Sequence, residues 1–186
     1  MENLFWLGFA GALIALIFAL TQAKKVLKFS EGTELMQKLA SSIRKGANAY
    51  LKRQYTTVAK IFIIVFVILL ILAWRGMLDN WFIPFAFLTG GIWSGLAGFV
   101  GMKITSANAR TANAAHESLN RGLSVAFSSG AVMGFTVVGL GLLDVSIWFH
   151  ILKYIAGFGA AQIAQTMVMF GMGASFMARF GRVGGG

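Results

Sequence analysis

The stretch IFIIVFVILLILAW, residues 61–74, contains no charged side chain. Together with the preceding YTTVAK it forms an apolar run of residues 55–74, and Lys60 lies near its start, where a long side chain can reach the membrane surface. About 20 helical residues cross the apolar core of a bilayer. Because lipid offers no hydrogen-bond partner to an open backbone, this run predicts a transmembrane helix.

Four further runs have the same character and contain no charge at all: residues 4–23, 81–102, 122–143 and 154–178. In the whole chain of 186 residues, 58% are hydrophobic and 12% are charged. Soluble domains contain about 25% charged residues. The sequence therefore predicts an all-α, polytopic transmembrane bundle with five spans.

The cations are distributed unevenly between the two ends of these spans. Arg75 and Lys153 lie on one side, and fourteen lie on the other: Lys24, Lys25, Lys28, Lys38, Arg44, Lys45, Lys52, Arg53, Lys60, Lys103, Arg110, Arg121, Arg179 and Arg182. Basic residues accumulate on the cytoplasmic side of membrane proteins. We therefore predict that the N-terminus is outside and the C-terminus is cytoplasmic.

Two segments on the predicted cytoplasmic side are expected to be ordered. In residues 30–54, Leu35, Leu39, Ile43 and Ala47 recur every four residues. This spacing predicts an amphipathic helix that either lies on the membrane surface or extends the second span inward. Residues 103–121 are rich in Ala and Asn and are expected to extend the third span. The predicted outer loops are short, and one of them covers residues 144–153.

The polar residues exclude several classes of protein. A net charge of +10 would suggest nucleic acid for a soluble domain, but cations confined to one side of a membrane face its anionic surface instead. We therefore expect the lipid bilayer as a partner and no nucleic acid. The six acidic residues are scattered, the chain contains no Cys, and we assign no metal ligand and no catalytic residue to it.

Small residues predict how the helices pack. Gly91 and Gly95, and also Gly130 and Gly134, are four residues apart, a spacing that lets helix backbones approach closely. Gln162 and Gln165, one turn apart in the fifth span, are expected to form hydrogen bonds between helices or to line a pore. A small channel or transporter, or one subunit of a membrane complex, is therefore an alternative function.

The chain ends in FGRVGGG, residues 180–186. Arg182 would lie at the end of the fifth span, and Arg179 precedes it by one turn. Cations at such positions commonly reach lipid headgroups. Three glycines after Arg182 favour the end of a helix, so the alternative is that the helix leads into a functional loop.

Four stretches in this order resemble one family, the membrane-integral pyrophosphatases that pump protons or sodium ions. They are EGTELMQKLASSIRKGANAYLKRQY (residues 31–55), GFVGMKITSANARTANAA (98–115), VAFSSGAVMGFTVVGLGLL (125–143) and FGRVGGG. The similarity covers nearly the whole chain from Ser30 onward, with spans where the family has spans. Two differences from the family are Arg179, where an apolar residue is usual, and Ser128, where some relatives have arginine.

The resemblance implies that residues 1–186 are the N-terminal portion of a longer pump, without its hydrolytic segment and inactive alone. Such a pump hydrolyses magnesium pyrophosphate in the cytosol, in some members with K⁺, and couples hydrolysis to ion translocation. It also implies a homodimer, and it matches Arg182 to an arginine of the ion gate. We expect a multi-pass protein of the cell membrane of a prokaryote.

Overall fold

The computed structural model describes residues 4–104 and 107–183, without the side chains of residues 4–5, 101–104 and 181–183. Every element in these ranges is helical. In chain order the elements are α1 (Leu4–Leu27), α2 (Glu34–Trp74), α3 (Phe82–Ile104), α4 (Asn108–Glu117), α5 (Leu119–His150), a π-helical turn (Ile151–Ile155) and α6 (Ala160–Val183). The predicted all-α class is confirmed.

Four helical segments are long and apolar enough to cross a membrane: Trp6–Leu27, Glu34–Trp74, Phe82–Val100 and Leu119–Ile155. They correspond to the first four predicted spans. α6 is 24 residues long but is not among these four. The fifth span and the orientation of the termini therefore stay predictions.

α2 is one continuous helix of 41 residues. It joins the predicted amphipathic segment to the second span, so the segment extends the span and does not form a separate surface helix. The stripe of Leu35, Leu39 and Ile43 is exposed, while Ala40 and Leu51 are buried. The repeat therefore predicted the helix correctly, but the side chains of this stripe are not covered in the described structure.

The region after the third span differs from its predicted form. α3 ends at Ile104, and α4 is a separate helix that begins at Asn108. α4 ends where Ser118 adopts an extended conformation. The Ser118 hydroxyl then accepts a hydrogen bond from the backbone N–H of Arg121, in the first turn of α5.

The predicted outer loop at residues 144–153 is wrong. α5 continues to His150, and a π-helical turn continues to Ile155, where the backbone N–H of Ala156 donates to the carbonyl of Ile151 at 2.9 Å. The segment DVSIWFHILKYI contains no Gly or Pro to end the helix. The chain turns only around Gly157, whose φ of 68° favours glycine.

The chain forms two compact units. Unit 1 comprises Met1–Phe9, Lys52–Leu96 and Gly141–Gly186, and unit 2 comprises Ala10–Leu51 and Ala97–Leu140.

Unit 1 has an apolar core around the contact between α3 and α6. A Cβ at Gly173 would overlap the backbone carbonyl of Phe87, and a Cβ at Gly90 would overlap that of Phe170. Each glycine therefore lies against the backbone of the other helix, the close approach that small residues allow. Phe62 stacks on Phe87 with ring centroids 5.0 Å apart and packs beside the same contact.

Unit 2 packs α1 against α5. A Cβ at Gly139 would lie 2.8 Å from Cγ of Leu16, and the rings of Phe18 and Phe135 are 4.6 Å apart. α4 lies close to the start of α5, where a Cβ at Gly122 would lie 2.7 Å from Cβ of Ala115. These contacts pack the middle of α1 against the middle of α5 and the end of α4 against the start of α5.

Candidate functional site

The four glycines singled out for packing have different surroundings. A Cβ at Gly91 would overlap the ring of Phe62, and one at Gly95 would lie 3.0 Å from Cε of Met177. Apart from the two chain neighbours and the nearby backbone of the same helix, no described atom lies within 4 Å of the corresponding position at Gly130 or Gly134. A packing role for the second pair stays a prediction, because the surface beside it is open in the described chain.

Two side chains of α2 form polar contacts with neighbouring helices, one with the last turns of α6 and one with α3. The Gln54 side-chain amide donates to the carbonyl of Phe180, and the Tyr55 hydroxyl donates to the carbonyl of Gly95 in α3 at 2.8 Å. The ring of Phe180 packs at 4.7 Å from that of Phe176. The Gln54 side chain therefore holds the backbone of α6 two residues before Arg182.

Arg182 belongs to the final turn of α6. Its side chain lies outside the described residues, so its assignment to an ion gate stays a prediction. Arg179, one turn earlier, is exposed.

Glu31 is the centre of an ion-pair cluster in unit 2. Its carboxylate accepts two hydrogen bonds from Arg44, at 2.9 and 3.2 Å, and forms an ion pair with Arg110 at 3.0 Å. Nε of Arg110 also donates to the carbonyl of Phe29 at 2.9 Å. The Arg110 side chain is only 15% exposed. We call Glu31, Arg44 and Arg110 the Glu31 cluster.

The Glu31 cluster joins the segment between α1 and α2 to α2 and α4. The hydrogen bonds from Arg44, together with the positive charges of Arg110 and Arg44, hold the pKa of Glu31 below its usual value of 4.5, although partial burial opposes them. Sequence reasoning missed this cluster, because its members are separated by as many as 79 residues, from Glu31 to Arg110. The available signal was the presence of only two carboxylates, Glu31 and Glu34, in the strongly basic segment between the first two spans.

Asp144 is the second acidic residue withdrawn from water. Its side chain is 2% exposed, and its Oδ2 has no hydrogen-bond partner in the structure. It lies on α5 one turn before Trp148, which is part of the apolar core and donates its indole N–H to the Thr89 hydroxyl at 2.8 Å. Placing Asp144 in a loop concealed this buried carboxyl group.

Other polar residues form one contact between distant segments and one local contact. Asn80 donates to the Thr166 hydroxyl at 3.1 Å, and both residues are buried. Gln162 accepts a hydrogen bond from the backbone N–H of Gly159, and Gln162 and Gln165 are exposed. The expected bond between helices is therefore not made by Gln162 in the described structure.

The described residues contain no group of three or more His, Cys, Asp or Glu side chains that could hold a metal ion. The acidic side chains that are withdrawn from water, Glu31 and Asp144, belong to different units. The described part of the chain therefore does not fit a magnesium site.

Comparison with known proteins identifies the family. A family model described as inorganic H⁺ pyrophosphatase matches residues 13–186. The chain is 50% identical to a putative K⁺-stimulated pyrophosphate-energised sodium pump of Bacteroides thetaiotaomicron over 98% of its length. It is 39% identical to a K⁺-insensitive pyrophosphate-energised proton pump of Methanosarcina mazei over 100% of its length, and 41% identical to a second such proton pump, of Moorella thermoacetica, over 95%.

The chain spans about a quarter of the length of these relatives, 26%, 26% and 25% respectively. The family match covers every helix from the middle of α1 onward. Four of its helical segments have the length and composition of membrane spans. The chain is an integral membrane protein, and it belongs to the inorganic H⁺ pyrophosphatase family.

Proposed function

We propose that this chain is the N-terminal portion of a pyrophosphate-energised cation pump of a prokaryotic cell membrane. The pump hydrolyses pyrophosphate in the cytosol and moves a proton or a sodium ion across the membrane, and it works as a homodimer. The observation that carries this proposal is the family match over residues 13–186. The matching relatives include a protein named as a sodium pump and another named as a proton pump. The transported ion is therefore to be identified by a transport measurement.

In the proposed topology α6 is a fifth span, the N-terminus is outside and the C-terminus is cytoplasmic. The distribution of the cations supports this orientation, because only Arg75 and Lys153 lie on the outer side. α6 has 24 residues, enough to cross about 30 Å of hydrocarbon. Its close contact with α3 at Gly90 and Gly173 would compensate for its lower apolar content.

Within the pump, Arg182 is proposed to act as a fixed cation at the ion gate. A cation at the C-terminal end of a helix is favoured by the helix dipole, and a carboxylate beside such a cation releases its proton more readily. The side-chain amide of Gln54 holds the backbone near this end of α6 in place by donating to the carbonyl of Phe180. The gate carboxylates would come from parts of the pump outside residues 1–186.

Magnesium is the metal expected of a pyrophosphatase, where it neutralises charge on the phosphoryl group. We assign no residue of this chain as its ligand, because the described residues do not form a suitable cluster. One of the named relatives is described as K⁺-stimulated. We propose to measure whether K⁺ stimulates the activity of this pump.

The proposal is tested with inverted membrane vesicles that contain the protein expressed from its complete reading frame. Added pyrophosphate with Mg²⁺ should be hydrolysed and should drive either acidification of the lumen or uptake of ²²Na⁺. Addition of K⁺ then distinguishes the two kinds of relative. Absence of pyrophosphate hydrolysis in vesicles that contain the folded protein would refute the proposed function.

Arg182 is tested against Arg179, which offers a matched control one turn away. Arg182→Ala should lower ion transport about 100-fold, as expected when a charge leaves its partner unpaired in a gate, whereas Arg179→Ala should leave transport within about twofold. Normal transport by Arg182→Ala would remove this residue from the gate.

The topology can be mapped directly because residues 1–186 contain no cysteine. With any cysteines elsewhere in the protein replaced first, Asp79→Cys should react with a membrane-impermeant maleimide from outside the cell. His116→Cys should react only after the membrane is permeabilised. The reverse pattern would overturn the proposed orientation.

A further inference from the structure

A cavity of about 210 Å³ lies in unit 2 at the end of α1. Three elements line it: the residues that follow α1, the face of α4 and the start of α5. The polar residues of its wall are Lys28, Ser30, Arg110, Asn113, Glu117 and Arg121. We call it the α1-end cavity.

Positive charge dominates the α1-end cavity. Three cations, Lys28, Arg110 and Arg121, face one carboxylate, Glu117, which forms an ion pair with Arg121. Arg110 is held in place by the Phe29 carbonyl and by Glu31. One of the three cations is therefore ordered before any ligand binds, which reduces the entropy cost of binding an anion.

The wall also contains neutral hydrogen-bonding groups in a fixed frame. Gly32 has a φ of 85°, and a Cβ at this position would lie 2.9 Å from Oδ1 of Asn113. The loop after α1 can therefore lie directly on α4 only because residue 32 has no side chain. Asn113 and Ser30 lie in the wall beside the cations and can hydrogen-bond to phosphate oxygens.

The position of the cavity indicates where the anion comes from. It adjoins the end of the membrane-span candidate Trp6–Leu27. Leu13, Leu20 and Leu27 are seven residues apart, so they share one face of α1, and each is more than half exposed. Leu27 immediately precedes Lys28, so an apolar surface leads directly to the cations of the cavity. Cations at the end of an apolar surface suit a phospholipid better than a soluble anion.

We propose that the α1-end cavity binds the phosphate headgroup of an anionic phospholipid, with the acyl chains along the exposed leucine face of α1. This inference goes beyond the proposed function, because it depends on the charge and position of the cavity and not on pyrophosphate hydrolysis. The lipid would stabilise the arrangement of α1, α4 and α5 around the Glu31 cluster.

The test uses the protein expressed from its complete reading frame and purified in detergent. Phosphatidylglycerol is the anionic probe, and phosphatidylcholine is the neutral reference. Native mass spectrometry counts the lipid molecules that remain bound as each lipid is titrated. We expect phosphatidylglycerol to be retained with higher affinity than phosphatidylcholine.

Two double variants distinguish the cavity from general surface charge. Lys28→Gln with Arg121→Gln removes two cations of the cavity and should weaken phosphatidylglycerol binding about 25-fold, since each cation near an anionic headgroup contributes about a factor of five. Lys38→Gln with Lys45→Gln removes two exposed cations of α2 and should change it less than about twofold. Circular dichroism checks that both variants are folded.

Three results would overturn the proposal. One is equal binding of phosphatidylglycerol and phosphatidylcholine, and another is equal weakening by the two double variants. The third is displacement of bound phosphatidylglycerol by millimolar inorganic phosphate or pyrophosphate, which would show that the cavity takes a soluble anion.

Discussion

The α3–α6 contact of unit 1 and the Glu31 cluster of unit 2 are both held together by residues far apart in sequence, but by different forces. At the first, Gly90 and Gly173 lie against backbone atoms of the facing helix. At the second, one carboxylate joins two arginines. The first contact should respond to added volume and not to charge, and the second to charge and pH.

The largest effect is expected at the α3–α6 contact. Gly173→Ala adds a methyl group where the Phe87 carbonyl already lies, and backbone atoms cannot move aside cheaply. We expect a loss of about 3 kcal/mol in the free energy of unfolding. The shift in the unfolding midpoint of the purified protein in detergent measures it.

Gly171→Ala is the matched control for this change. Gly171 lies on the same helix, two residues away, and no described atom beyond its chain neighbours and the nearby backbone of α6 lies within 4 Å of its Cβ position. There alanine should stabilise the helix by about 0.5–1 kcal/mol. If both variants behaved alike, the close contact between α3 and α6 would be disproved.

A smaller loss in the free energy of unfolding is expected for a substitution in the Glu31 cluster. Glu31→Gln removes the ion pair that Glu31 forms with Arg110, which is mostly buried. Because both side chains keep some contact with water, we expect a loss of about 1–2 kcal/mol. The exposed Glu34 is the control, and Glu34→Gln should cost at most about 0.5 kcal/mol. Equal effects would show that the ion pairs contribute no more than an ordinary surface charge.

The pH dependence of stability isolates the electrostatic part of that loss. The pKa of Glu31 is lowered in the folded state by Arg44 and Arg110. The ionised Glu31 side chain therefore contributes fully to the free energy of unfolding when the pH is above 4.5, its pKa in the unfolded chain. This contribution is lost as the pH falls through the lower pKa of the folded protein. The difference in unfolding midpoint between the wild type and Glu31→Gln should narrow as the pH falls below 4.5. A constant difference across this window would contradict the stated cause of the shift.

The smallest effect is expected at Asp144, the one acidic side chain that is buried in the described part of unit 1. Its Oδ2 has no hydrogen-bond partner among the described residues, and Asp144→Asn preserves the shape of the side chain. We expect a change in the free energy of unfolding within about 0.5 kcal/mol. A loss above about 2 kcal/mol would instead show that a cation partner reaches this carboxyl group.

Hydrophobic runs predicted the first four spans, in α1, α2, α3 and α5, because the membrane requires both length and low charge. The end of the fourth was missed, because Asp144 was interpreted as the start of a loop, whereas a buried acid can be covered by neighbouring helices. The spacing of Gly91 and Gly95 indicated the correct region of α3. It could not show that Gly90 meets a backbone, since the facing helix decides which glycine makes the contact.

The contacts of the candidate site were harder to predict from the sequence than the helices were. Arg44 and Arg110 were recognised only as members of a basic surface, because no local pattern connects them to Glu31. Arg182 was found through resemblance to a family, and its position in the last turn of α6 is compatible with that prediction. Long-range pairing of single residues is visible only after the helices have been placed.

The π-helical turn at Ile151–Ile155 has a consequence for comparing sequences. A turn closed by a bond from residue 156 to residue 151 holds one residue more than an α-helical turn needs. Deletion of the additional residue would convert the π-helical turn into an α-helical turn and leave the rest of the helix unchanged. A homologue with a gap of one position here would therefore keep the same architecture, and its downstream segments should be aligned across the gap.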